Sequence, residues 1–213
     1  MAFIDSMRAA TLQMHSSHML AAKAPPHAHA ARPPHPPVTR HAFVQYLAAH
    51  RDVYRALQPF PVDLPRKFAD DISSDLWAIQ TDSLDATASS LYYSPYVRYL
   101  ATLPRERLGC HWYNSVFAHV AGGGLVVARA AQPVLPPGFF ERSNFYKPLP
   151  AEGVDALRTA FEAEAGTWTD AGRDLCLAET PVAFRHLGSI TKLLYASSSD
   201  PSSPGKSNIT LDM

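Results

Sequence analysis

Three consecutive glycines, Gly122, Gly123 and Gly124, interrupt the stretch that otherwise reads as the central helix of this 213-residue chain. Around them apolar residues recur at helical spacing: Trp112, Val116 and Val120, then Leu125 and Val126. Each interior glycine costs a helix roughly 1 kcal/mol against alanine, and nothing turn-forming flanks the three. A backbone without Cβ atoms has two uses. It lets a flat partner or a second helix approach closely, and it permits a kink that bends the helix over that partner. Helix–helix packing and a ligand seat both satisfy the spacing. Tyr113 and His119, on the same stretch, tip the reading towards a ligand seat.

The rest of the chain supplies a helical frame and no strand. An amphipathic helix is expected over residues 2–22, with Arg8, Leu12, His15 and Met19 on one face. A histidine beside Leu and Met is by default packed in a core. His18, three residues on, competes with His15 for any ligand role. Residues 23–38 are a Pro/His-rich linker. Its His27, His29 and His35 lack the Cys or acidic companions of a metal site. Thr39 can cap a helix over 40–58 carrying the stripe Phe43, Tyr46, Leu47, His50, Val53, Tyr54 and Leu57. Pro59, Pro61 and Pro65 separate it from a helix over 66–79, with Phe68, Ile72, Leu76 and Ile79 inward. A Ser-rich loop over 81–90 and a short helix over 94–103 follow, and Pro104 opens the central helix. "FFERSNFYK" covers one end of the bundle. A helix over 151–165 stops at Gly166, and Thr167 or Thr169 caps the last one, over 168–196. Trp168, Leu175, Phe184, Leu187, Ile190, Leu193 and Leu194 are its expected core residues, and Pro181 should kink or split it. The fold class is therefore all-α: one domain over 1–196, an irregular bundle, with a disordered tail over 197–213.

Composition narrows the function. Lys+Arg and Asp+Glu both number 19, so there is no basic surplus for nucleic acid. No apolar run reaches the ~20 residues of a membrane span. Cys110 and Cys176 read as buried thiols in a reducing compartment. No signal or transit peptide is visible, as in a mature or trimmed chain.

Three ordered segments carry a family resemblance. "CHWYNSVFAHVAGGGLV" resembles the distal helix of the plant and algal heme oxygenases. "MRAATLQMHSSH" resembles their proximal helix, and "WTDAGRDLCLAETPVAFRHLGSITKLL" their C-terminal helix. The resemblance implies heme b held between a proximal N-terminal helix and a kinked, Gly-rich distal helix. Heme is then both cofactor and substrate, opened at the α-meso carbon to biliverdin IXα, CO and Fe²⁺. Electrons come from reduced ferredoxin in the plastid stroma, and a downstream bilin reductase is a further partner.

Residue by residue, the resemblance implies His15, within "LQMHSS", as the axial iron ligand; His18 is out of register. A single neutral imidazole leaves the opposite iron site open for O₂. Arg8 matches a propionate-binding basic residue. Seven residues of helix span ~10.5 Å, near the distance from iron to a propionate. Tyr113 and Arg158, in "ALRTAF", match further propionate partners, while Val154 stands where the family has another basic residue. Gly122 and Gly123 match the backbone against the heme plane, and Phe184 an aromatic that limits the α-meso edge. Many members carry Gly-Asp where this chain, like plant members, has Ala118-His119. His119 would then order the water that brings protons to the distal face; direct iron ligation is its rival use. Arg98, Arg105 and Arg107 are candidates for docking acidic ferredoxin.

Two other classes compete. One is a non-catalytic heme-binding or regulatory paralogue on the same fold, against which the presence of His15 argues. The other is a thiaminase-like hydrolase, which needs a Cys nucleophile with carboxylates; Cys110 has no such sequence neighbours.

Overall fold

The computed structural model describes residues 2–21, 36–80 and 94–195, the side chains of 15–21, 80 and 94 excepted. All regular structure among them is helical. The helices are α1 (Phe3–Ala21), α2 (Arg40–Ala56), α3 (Leu64–Gln80), α4 (Ser94–Ala101), α5 (Arg105–Ala118), α6 (Gly124–Ala131), α7 (Phe139–Arg142), α8 (Ala151–Ala165) and α9 (Asp170–Leu193). A π-turn, His119–Gly123, joins α5 to α6. The tail, the Ser-rich loop and nearly all of the Pro/His linker, with its three histidines, lie outside the described residues. No described helix is long and apolar enough to cross a membrane.

Local chemistry accounts for most boundaries. The Thr39 hydroxyl accepts the Ala42 N–H at 3.1 Å and starts α2, and every expected stripe residue of α2 and the Leu57 cap is buried. Helix α3 begins two residues before the expected 66, because Pro65 in the first turn has no N–H to leave unpaired. Thr169 rather than Thr167 caps α9, accepting from Gly172 N–H at 3.1 Å. Pro181 lies inside α9 without splitting it. The helix holds across the missing N–H because Glu179, Thr180 and Ala183 are buried there in the core.

Helix α5 runs along α9, and α2 along α3. Trp112 of α5 stacks on Phe161 of α8 at 5.6 Å, and Phe60 and Trp168 close the same cluster. Leu175, an expected core residue, is 50% exposed instead, and the apolar pair Leu125 and Val126 is 53% and 64% exposed. Successive helical residues point about 100° apart, and Gly124 and Val127 take the inward positions of α6, which turns Leu125 and Val126 outward. On α9 the inward place belongs to Cys176, whose thiol lies 3.7 Å from the Met7 sulfur on α1. Both cysteines are buried free thiols.

A polar network ties α5 to α9 inside this core. Fully buried His111 meets the Tyr96 hydroxyl at 2.8 Å through Nδ1 and the Glu179 carboxylate at 2.9 Å through Nε2. Tyr99 and Arg107 also donate to Glu179, at 2.5 and 2.6 Å. Burial pushes the Glu179 carboxyl up, but the donors His111, Tyr99 and Arg107 outweigh it and hold the group at about 2. A depressed carboxyl stabilises the fold fully above its ordinary value of 4.5, and that stabilisation is lost as pH falls towards 2. Removing one partner of a buried pair costs about 3 kcal/mol or more. Glu179→Gln is therefore expected to lower unfolding free energy by about 3 kcal/mol at pH 7. The difference from the unmutated protein should shrink on acidification from pH 4.5 to 2, measured by denaturant titration across pH. A pH-independent difference would exclude this network as its source.

Candidate functional site

The interruption of the central helix is a single π-turn, and its glycines are there for different reasons. Gly122 takes φ 116° and ψ −8°, a conformation that strains any residue with a Cβ. A Cβ on Gly122 would meet nothing within 4 Å, so its face of the helix is open. A Cβ on Gly123 would lie 2.4 Å from the Ala118 carbonyl oxygen, closer than any side chain can sit. The kink expected from the glycine triplet is thus present, centred on Gly122.

His119 opens the π-turn and turns its ring into the bundle. The imidazole stacks on Phe145 with centroids 4.1 Å apart and meets Phe68 edge-on at 5.2 Å. Its Nε2 donates to the Phe145 carbonyl at 2.9 Å. Burial lowers the His119 pKa below its ordinary value, and the bond to the Phe145 carbonyl only partly opposes that. The neutral ring is favoured. Phe145 is itself held in place: Ser143 donates to Asp75 of α3 at 2.5 Å and accepts the Tyr146 N–H at 3.1 Å. A cavity of about 50 Å³, room for one or two waters, is lined by His119, Gly122, Gly124, Leu125 and Tyr146 among others.

A second group gathers nine residues before Gly122. Tyr113 of α5 is buried, which pushes its phenol up; the charges of Arg8 on α1 and Arg158 on α8 pull it back down. Both guanidiniums therefore lie within electrostatic reach of one hydroxyl. Arg8 is exposed, and Arg158 pairs with Asp155 at 3.2 Å with more than half its side chain in solvent. Thr11 of α1 reaches Asn114 of α5 at 3.3 Å and fixes how the two helices meet.

The structure thus sets Arg8 and Arg158 within electrostatic reach of Tyr113, and separately places His119 and Gly122 on one small cavity. The face of α1 that holds Arg8 and Leu12 is not packed in the core: Leu12 is 55% exposed, and Met7 is the buried residue. His15 lies on α1 one turn beyond Thr11, and its side chain, like that of His18, is outside the described residues. Phe184 is half-buried on α9. Among the docking candidates, Arg107 is committed to the Glu179 network and Arg105 is paired with Glu164; Arg98 is exposed. Sequence reasoning missed the Phe145 carbonyl, because a backbone acceptor leaves no mark in residue identity. It also missed the distinct place of Gly124, whose only signal was a third glycine where two suffice for a kink.

No family model matches the sequence. The chain is 30% identical over 112 residues to heme oxygenase 1, chloroplastic, of Arabidopsis thaliana, covering 53% of this chain and 39% of that protein. It is 28% identical over 116 residues to heme oxygenase 1, chloroplastic, of Oryza sativa subsp. japonica, covering 52% and 38%. It is 31% identical over 104 residues to heme oxygenase 3, chloroplastic, of Arabidopsis thaliana, covering 49% and 36%. The matches span less than two fifths of each relative's length. This partial homology to plant heme oxygenases supports the heme oxygenase family for an all-α chain of this kind.

Proposed function

We propose that the chain is a heme oxygenase that binds heme between α1 and the kinked α5–α6 helix and opens it at the α-meso carbon. The observation that carries this reading is Gly122, open-faced at φ 116° in the kinked helix, nine residues along that helix from Tyr113, whose hydroxyl lies within electrostatic reach of Arg8 on α1 and Arg158 on α8. Bound heme supplies the iron that activates O₂ and is itself the ring converted to biliverdin IXα, CO and Fe²⁺. The residues of the chain would bind and orient the heme and order water beside it. Arg8 and Arg158 give charge-assisted hydrogen bonds to the propionates, with the Tyr113 hydroxyl between them. His15 would hold the iron through its imidazole. Gly122 leaves the distal side free of side chains, and Gly123 keeps the turn that puts it there. His119, neutral and anchored on Phe145, orders water at the distal side. Phe184 narrows access to one edge of the macrocycle. Reduced ferredoxin is the proposed electron donor and a bilin reductase the proposed consumer of the product. The plastid is the proposed compartment, since all three relatives are named chloroplastic.

The purified protein should bind hemin with one axial imidazole. It should form biliverdin when supplied with ferredoxin, its reductase and NADPH. His15→Ala is expected to remove the axial imidazole signature while far-UV circular dichroism stays helical. An unchanged Soret band and unchanged turnover in that variant would rule out His15 as the ligand.

Arg8→Ala and Arg158→Ala are each expected to weaken hemin binding by no more than about fivefold, because exposed pairs contribute at most about 1 kcal/mol. Each should yield a mixture of biliverdin isomers, since a macrocycle released at one propionate rotates in its plane. Chromatography showing a single isomer from both variants would remove them from the orienting set.

A further inference from the structure

The last glycine of the triplet does not carry the strained backbone angles of the kink. Gly124 has ordinary helical angles, φ −57° and ψ −42°, while Gly122 alone in the turn has positive φ. Nor is Gly124 open like Gly122. It is buried, and a Cβ there would lie 2.7 Å from Cε1, 2.9 Å from Nδ1 and 3.4 Å from Nε2 of His119.

The π-turn brings these two residues together. In an α-helix the neighbours of His119 on the next turn are three and four residues on, Gly122 and Gly123. Here the Gly124 N–H donates to the His119 carbonyl, five residues back. The turn is one residue wider, so Gly124 rather than Gly123 comes over the imidazole. The ring has nowhere to retreat, with Phe145 stacked on it, Phe68 at its edge and Nε2 bonded to the Phe145 carbonyl. A carbonyl oxygen only accepts. The ring proton is therefore on Nε2, and Nδ1 carries the lone pair.

We infer that Gly124 is a positioning residue for His119, resting on the role proposed for that histidine at the distal face: by withholding a Cβ it seats the imidazole as the Nε2–H tautomer, with Nδ1 the free acceptor on the glycine side. His119 and Gly124 both border the small cavity that Gly122 and Leu125 also line. A ring so held takes a hydrogen bond from a water at Nδ1 and gives none from that edge. It orients the water's lone pairs and remaining proton; it is not the proton's source. His119 is thus an acceptor at the distal face, and any proton delivered there belongs to the water.

Two measurements on the protein without heme test this. The first is long-range ¹H–¹⁵N correlation of the histidine rings, with His119 assigned by the signal lost in His119→Ala. The expected result is protonated Nε2 and unprotonated Nδ1, and in Gly124→Ala loss of that single-tautomer pattern. The second is a double-mutant cycle by denaturant titration. Gly124→Ala should reduce the folding constant about tenfold or more when the ring is present, as overpacking does, and far less in the His119→Ala background. If Gly124→Ala does not fold, the tautomer of the unmutated protein and the folding of the double variant still decide. A protonated Nδ1 in the unmutated protein, or an equal cost of Gly124→Ala in both backgrounds, would overturn the inference. Failure of the unmutated protein to bind hemin would overturn the proposed function instead and leave the tautomer and the cycle as they are.

Discussion

The extra residue in the turn at His119–Gly123 is the constraint on which the site depends. A regular helix through this stretch would place Gly123 over the His119 ring and leave no residue at positive φ. The π-turn instead gives Gly122 an open face and puts Gly124 against the imidazole. It also joins α5, whose buried face is built from Trp112 and Val116, to α6, which buries Gly124, Val127 and Ala131. Glycine's loss of helical stability, roughly 1 kcal/mol per residue, is offset by what surrounds the turn: Phe68, Phe145 and Tyr146 close around His119 from two other parts of the chain.

Two polar arrangements hold those parts in register. Ser143 links Asp75 of α3 to the segment that presents the Phe145 carbonyl, so the anchor of His119 is itself tied to the bundle. On the other side of α5, His111, Glu179, Tyr96, Tyr99 and Arg107 lock α5 to α9. With α9 fixed, Cys176 meets Met7 and sets the place of α1. Arg8, next to packed Met7 on α1, then lies within electrostatic reach of Tyr113. The exposed Leu12 belongs to the same unburied face, which suits a helix that covers a ligand rather than a core.

Much of this was legible in the sequence, unevenly and for physical reasons. Stripes such as Phe43 to Leu57 predict burial well because a complete helical face offers no second choice of phase. The glycine triplet marked the kink, since three helix breakers without turn residues admit few uses. Leu175 was misplaced inward because apolar identity does not say which of two adjacent positions faces the core. Arg107 looked like a surface charge; only the fold brings Glu179, seventy-two residues away, against it. Helix α7, four residues long and preceded by Gly138 at φ 71°, is too short to leave a periodic pattern. Arg8, Tyr113 and Arg158 were singled out by resemblance, because none of them is distinctive in its own stretch.

The central claim is that the open face at Gly122 and the cations beside Tyr113 belong to one ligand site. A crystal structure of the protein with hemin bound tests it most directly. The account predicts the macrocycle against the Gly122 backbone, its propionates at Arg8, Tyr113 and Arg158, and His119 still bonded to the Phe145 carbonyl. Hemin seated elsewhere, or a His119 ring that has left Phe145 to bind the iron, would contradict it.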